Sequence, residues 1–341
     1  MWRRLSKQRT HSYVPRGPTI QDVVRISTGH RGQPGPTTVC VPCPSIPVIP
    51  DRPIATGGYC DLYKVPERGG YVAMKRPRFS TEETTDSEKK ALRRLAREGR
   101  IWSSLSHLNV LPFLRTQYIA KEFYLVSPWI DHGDLSKFLT DRLQYLGLAK
   151  DQRSGHIKRD LFERFNEHNI VLGILSGLAY LHAKPIIHGD MKAANILMID
   201  GVRPAICDFG LAKTLEGEFS NTSESMKGAG NLRWMSPELA DGDPRTTKSD
   251  MYSFGMTIVE VITGTAPYPD LQNQLALAHA IINGRRPRFE PLFRLGKCFN
   301  DLWGYASTCW NADPDLRPHA AALEELMKRR QSRQSNGILY R

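Results

Sequence analysis

The spacing of apolar and polar positions divides this chain into two textures. Up to about residue 50 the apolar positions keep no sustained period, and prolines recur at 15, 18, 34, 36, 42, 44, 47 and 50. That stretch reads as a disordered, linker-like tail. From Ile54 the pattern tightens. Residues 52–65 and 71–76 read as strands, with Gly57-Gly58 as a turn between two of them. Residues 82–106 read as a helix, because Leu92, Leu95, Trp102 and Leu105 fall on one helical face among Lys, Arg and Glu. Gly99 inside it weakens it by about 1 kcal/mol. Residues 111–130 read as two more strands. From Asp134 onward helices dominate: 161–182 carries Phe162, Phe165, Ile170, Ile174, Leu178 and Leu181 at helical spacing, and further helices are expected near 248–264, 271–283, 299–310 and 319–330.

A strand-rich part followed by a helical part implies an α+β chain of two lobes with a cleft between them, and clefts at lobe boundaries are common ligand sites. The expected division is a tail over 1–50, one domain over 51–330 with lobes at 51–130 and 131–330, and a short tail over 331–341. The 341 residues, 40% hydrophobic and 24% charged, suffice for a sizeable core. Net charge is +12, and half of that excess sits in residues 1–50, where seven basic side chains face the single acid Asp22. The remainder is spread thinly, which argues against a nucleic-acid-binding face on the main domain. The basic tail reads as solvated chain, with contact to an acidic partner or membrane as the alternative.

Cys40 and Cys43 form a Cys-x-x-Cys without a second ligand pair, so no zinc site is read there. The scattered cysteines suit a reducing compartment. No apolar run follows the basic N-terminus, and the apolar stretch near 170–181 is too short and too interrupted to span a bilayer. A cytoplasmic location is expected, with the nucleus left open.

The chemistry-bearing residues form an ordered set. Val72-Ala73-Met74-Lys75 lies on an expected strand. His188-Gly189-Asp190-Met191-Lys192-Ala193-Ala194-Asn195 follows, then Asp208-Phe209-Gly210, then Ser236-Pro237-Glu238. Asn195 and Asp208 offer hard oxygen ligands of the kind that suits Mg²⁺. The set resembles the eukaryotic protein kinase family over roughly residues 52–330. The resemblance implies the bilobal kinase fold, with a small antiparallel sheet and one helix in the first lobe and a mainly helical second lobe. It implies ATP and Mg²⁺ (Mn²⁺ being possible) as cofactors and a protein as substrate.

The resemblance also implies roles. Asp190 accepts the proton of the substrate hydroxyl, and Lys192 neutralises the γ-phosphate. Asn195 and Asp208 hold the metal. Lys75 holds the α- and β-phosphates and pairs with Glu98, fixed by register before Ile101-Trp102. Trp102, four residues on, should pack toward Phe209, with Phe113 and His188 completing a stack that links the lobes. Leu62 and Ala73 form the roof of the adenine pocket and Leu197 its floor, while backbone groups of Pro128 and Ile130 meet the base. Ser127 falls at the entrance to a back pocket. Asp134 either bonds a ribose hydroxyl or caps the helix over 135–139. Glu238 should pair with Arg317, and Asp250 should brace the catalytic loop.

The chain departs from the family at two places. The phosphate-covering loop reads Ala55-Thr56-Gly57-Gly58-Tyr59-Cys60-Asp61-Leu62, and of the family glycines only Gly57 stands at its place. Gly189 replaces the arginine that in the family pairs with a phosphate on the activation loop, so activity is expected not to require that phosphate. Ser220, Thr222, Ser223 and Ser225 remain candidate phosphorylation sites.

The phrases at 125–129, 188–195, 233–238 and 309–314 resemble the tyrosine-kinase-like group, particularly fungal, basidiomycete-type members with a His-Gly-Asp loop. Lys192 points to serine or threonine as acceptor, whereas Asn231 stands where such kinases usually carry Thr. The competing reading is a pseudokinase, a nucleotide-binding scaffold without turnover.

Overall fold

Alternation of side chains builds the first lobe. Strands β1 (Ala55–Thr56), β2 (Cys60–Glu67), β3 (Gly70–Pro77), β4 (Arg115–Ile119) and β5 (Glu122–Pro128) form one antiparallel sheet in the order β1-β2-β3-β5-β4. The computed structural model describes residues 48–56, 60–78, 85–146, 162, 164–214, 232–288 and 299–338. On β2, β3 and β5, Tyr63, Val65, Val72, Met74, Tyr124 and Val126 share one face and pack as a small cluster of their own. The period of two then sends Leu62, Ala73 and Lys75 to the opposite face, where they are half-buried. Phe123 and Leu125 of β5 point the same way and join the main core.

Helix α1 (Thr85–Ser103) lies under that second face. It buries Leu95, Glu98, Ile101 and Trp102, one helical stripe. The expected helix over 82–106 is therefore present and ends at Ser103; residues 82–84 lie outside the described residues.

The second lobe is helical. It contains α2 (Leu135–Tyr145), α3 (Glu167–Ala183), α4 (Pro237–Ala240), α5 (Thr247–Thr263), α6 (Gln274–Ile282), α7 (Phe299–Cys309) and α8 (Ala320–Ile338). Two small ribbons sit at its upper edge: β6 (Ile186–Ile187) with β9 (Lys213–Thr214), and β7 (Ile196–Ile199) with β8 (Arg203–Ile206). α5 is the axis of the lobe, since every residue from Ser249 to Ile262 is buried. A helix covered on all sides needs firm ends. Thr246 and Ser249 form a reciprocal capping box at the start, and Gly264 closes the end at φ 71°.

The helix expected over 161–182 is interrupted at 165–166: Phe162 and Arg164 are helical, and α3 starts at Glu167, where Asn166 takes the N-cap and accepts the Asn169 N–H. Phe162 and Phe165 precede it and pack on Phe138, with ring centroids 5.3 and 5.4 Å apart. Their apolar spacing thus reports a shared core and not one continuous helix. α8 runs past the expected 330 to Ile338. Most of the tail over 1–50 and the end of the chain lie outside the described residues, as does the greater part of 140–160. No helix among the described residues is long and apolar enough to cross a membrane.

Candidate active site

The site lies where the underside of the sheet faces the β6–β9 region. Lys75 projects from β3 on the half-buried face, and its ammonium donates to Glu98 Oε1 at 2.7 Å and to Asp208 Oδ1 at 2.6 Å. One cation thus ties the strand, helix α1 and the second lobe together. Burial works against the charged Lys75, but the Asp208 and Glu98 carboxylates outweigh it and hold its pKa well above the ordinary value. Lys75, in turn, pulls the Asp208 carboxyl down to about 2. Burial raises the Glu98 pKa, with Lys75 opposing. Asp208 adopts φ 64°, a left-handed conformation uncommon for a non-glycine residue and typical of functional sites.

The expected aromatic stack is assembled. Trp102 lies 5.4 Å from Phe113 and 5.9 Å from Phe209 between ring centroids, and Phe209 lies 5.4 Å from His188. Trp102 Nε1–H donates to the Leu111 carbonyl at 2.6 Å, so the indole is fixed by a hydrogen bond as well as by packing. His188 has one consistent tautomer: Nδ1 accepts the Asp190 N–H at 3.2 Å, which leaves Nε2–H to donate to the Cys207 carbonyl at 3.0 Å.

In the catalytic loop, Asp190 Oδ2 accepts from Lys192 Nζ at 2.7 Å and from Asn195 Nδ2 at 2.8 Å. Asn195 Nδ2 also donates to the Asp190 carbonyl at 2.8 Å. These partners all take Oδ2 or the backbone, and Oδ1 accepts none of these bonds. The Asn195 side-chain oxygen and Asp208 Oδ2 are likewise left as hard oxygen donors. Such a sparse pair suits a small cation that takes its other ligands from phosphates and water. No cluster of three or more His, Cys, Asp or Glu side chains suited to a metal exists among the described residues.

The loop is braced from beneath, as its sequence implied. Asp250, in the first turn of α5, accepts the His188 N–H at 2.8 Å and the Gly189 N–H at 2.8 Å, and His182 Nε2 at 3.0 Å. Burial alone would raise the Asp250 pKa, yet the His182 bond and its neighbours lower it.

The residues assigned to the adenine pocket converge only in part by hydrogen bonding. Ala73 pairs with Ser127 across β3 and β5, and Ser127 is buried. Leu62 pairs with Ala55 across β1 and β2, and Ala55 is exposed. Pro128 ends β5, Trp129 N–H donates to the Tyr71 carbonyl at 3.2 Å, and the Ile130 carbonyl accepts the Gly133 N–H at 3.1 Å. Leu197 on β7 is bridged to Asp134. Asp134 caps the helix: its Oδ1 accepts the Lys137 N–H at 2.9 Å. Gly57, the retained loop glycine, lies outside the described residues, as do Asn231 and the candidate phosphorylation sites at 220–225.

Residue-by-residue reading missed two groups that touch this loop and a third, His182, that holds its brace Asp250. His182 carries no motif. Arg245 bonds the Gly189 carbonyl from the segment before α5. Glu260 accepts the Ala193 N–H at 2.9 Å and Trp234 Nε1–H at 2.7 Å. A signal for Glu260 existed, since it is an isolated carboxylate in the apolar run 254–262.

Comparison with known proteins agrees with this geometry. The family described as protein tyrosine and serine/threonine kinase matches residues 62–327. A probable serine/threonine-protein kinase, roco6, of Dictyostelium discoideum is 31% identical over 250 residues, 71% of this chain and 11% of that protein. The serine/threonine-protein kinase STY17 of Arabidopsis thaliana is 26% identical over 277 residues, 81% of this chain and 43% of that one. The tyrosine-protein kinase SRK3 of Spongilla lacustris is 29% identical over 258 residues, 75% of this chain and 68% of that one. The chain thus spans less than half the length of the first two relatives. With its two lobes, its Lys75–Glu98–Asp208 bridge and a match over most of its length, this chain belongs to the protein tyrosine and serine/threonine kinase family.

Proposed function

We propose that the protein transfers the γ-phosphate of ATP to serine and threonine hydroxyls of protein substrates, with Mg²⁺ as the metal. The observation that carries this reading is the bridge from Lys75 to both Glu98 and Asp208, formed while Lys192 and Asn195 hold Asp190. A scaffold without turnover has no need of all six groups in register.

Each side chain has a task. Asp190 orients the substrate hydroxyl and takes its proton on Oδ1 as the new O–P bond forms and the bond to the ADP oxygen breaks. Lys192 neutralises the charge that develops on the migrating phosphoryl group, and Lys75 neutralises the phosphates that stay behind. Asn195 and Asp208 would hold the Mg²⁺, which when bound supplies positive charge to the phosphate oxygens. Leu62, Ala73 and Leu197 would enclose the adenine, with backbone groups of Pro128 and Ile130 meeting its edge and Asp134 Oδ2 left for a ribose hydroxyl. Ala55 and Gly57 would cover the phosphates.

The phrases at 125–129, 188–195, 233–238 and 309–314 support a place in the tyrosine-kinase-like group, nearest to fungal members with a His-Gly-Asp loop. The scattered cysteines support a cytoplasmic location.

The test is phosphoamino-acid analysis after incubation with ATP, a basic protein substrate and either Mg²⁺ or Mn²⁺, before and after phosphatase treatment of the enzyme. Phosphoserine or phosphothreonine, unchanged by the treatment, is the expected product. Phosphotyrosine alone would overturn the specificity, and phosphatase-sensitive turnover would overturn the independence from loop phosphorylation.

A further inference from the structure

Gly189, the residue before Asp190, is gripped at both ends of its backbone by one short segment of chain. Its N–H donates to Asp250 Oδ1 at 2.8 Å, and its carbonyl accepts from Arg245 Nε at 3.1 Å. Asp250 lies in the first turn of α5, and Arg245 directly precedes the Thr246 cap of the same helix. This capped helix end therefore carries an acid and a base that pinch Gly189 between them.

The consequence reaches Asp190 through a single peptide. The Gly189 carbonyl and the Asp190 N–H belong to the same planar unit. The first is held by Arg245, and the second donates to His188 Nδ1 at 3.2 Å. With both ends fixed, the plane from which the Asp190 side chain departs cannot rotate.

The fit is steric as well. Gly189 has φ +79°, and a Cβ placed there would sit 2.8 Å from Arg245 Cδ and 3.0 Å from the Leu211 carbonyl oxygen. The Arg245 side chain thus fills the space that any side chain at 189 would need. The guanidinium is half-buried and always charged. Burial lowers its pKa, with the Asp190 and Asp250 carboxylates opposing, and Lys213 faces it as a second cation.

We propose that Arg245 is a positioning residue for phosphoryl transfer: it locks the Gly189–Asp190 peptide from the start of α5, a task for which the absent side chain at 189 leaves room. This rests on the proposed kinase activity. It also gives a physical basis for activity without loop phosphorylation, because the brace is supplied from within the fold.

Two readouts keep the inference separable from the reading beneath it. The first is steady-state kinetics of the full chain. Arg245→Ala should lower kcat by about tenfold to hundredfold, the loss of one charge-assisted hydrogen bond, with KM for ATP nearly unchanged. Arg245→Lys, which keeps the charge, should recover part of it. The second needs no turnover: amide hydrogen exchange over 186–192 should speed up in Arg245→Ala, with α5 protected as before. In addition, Gly189→Ala should cost less stability in the Arg245→Ala background than in the wild type, a positive coupling in a double-mutant cycle. Wild-type exchange over 186–192 in Arg245→Ala would overturn the proposal, whether or not the wild type turns over. Exchange that rises equally in α5 would overturn it too, by reducing Arg245 to a helix anchor.

Discussion

Glu260 shows how much one buried atom can decide. It is 4% exposed, and both of its donors, Ala193 N–H and Trp234 Nε1–H, converge on Oε2. Burial pushes its carboxyl up to about 7, against these two bonds and Lys192. An acid with a raised folded pKa costs stability as pH rises. The cost is absent below the ordinary value of 4.5, grows between there and about 7, and is complete above. Its full size is on the order of 3 kcal/mol. Glu260→Gln keeps an oxygen for both donors and cannot ionise, so it should equal the wild type near about pH 5 and exceed it near about pH 8 in urea unfolding. Parallel stability curves for the two proteins would contradict this. At the same scale, legibility in the sequence was uneven. Lys75, Asp190, Asn195 and Asp208 stand in local motifs, whereas Arg245 acts through a contact 56 positions away in sequence. Asp134 carried two readings, and the helix cap is the one visible in the fold, through Oδ1 and the Lys137 N–H.

At the scale of elements, the strands were readable from short apolar runs beside turn residues, and burial along β2 and β3 then follows a period of two that fixes which residues face the cleft. The start of α3 was not, because Phe162 and Phe165 prolong the apolar rhythm past the Asn166 cap. Helix α1 carries the sharpest expectation. Glu98 and Trp102, four residues apart, place an ion pair and a ring on one face, so the position of α1 sets both the Lys75 bridge and the inter-lobe stack. Trp102→Ala should cost about 3–5 kcal/mol in equilibrium unfolding, as for a large buried aromatic, and should abolish transfer. Trp102→Phe keeps a ring but leaves the Leu111 carbonyl without its donor, at about 1–3 kcal/mol. Full turnover in Trp102→Ala would show that the stack does not set α1.

Over the whole molecule, the second lobe is a frame around α5 that braces the catalytic loop through Asp250 and Glu260. Arg317, whose side chain is wholly buried, clasps Glu238 with two bonds of 2.6 and 2.8 Å and joins the α7–α8 connection to α4. Burial raises the Glu238 pKa, but the bonds from Arg317 lower it overall. Its contribution is therefore present above the ordinary value of 4.5 and is lost as pH falls through the lower folded value. Glu238→Ala should destabilise by about 3–5 kcal/mol at neutral pH, since it strands a buried cation, and its gap to the wild type should narrow in acid. A gap constant with pH would contradict the pairing. The two-lobe architecture was legible because strands precede helices along the chain, and the family motifs fixed which faces meet. The most direct test of the central claim, that this cleft is catalytic, is the rate of γ-phosphate transfer from ATP by the wild type beside Asp190→Asn. Turnover that falls by about a hundredfold or more in the variant, with ATP binding retained, is the expected result. Equal background rates from two proteins that both bind ATP would contradict it and leave the fold as a nucleotide-binding scaffold.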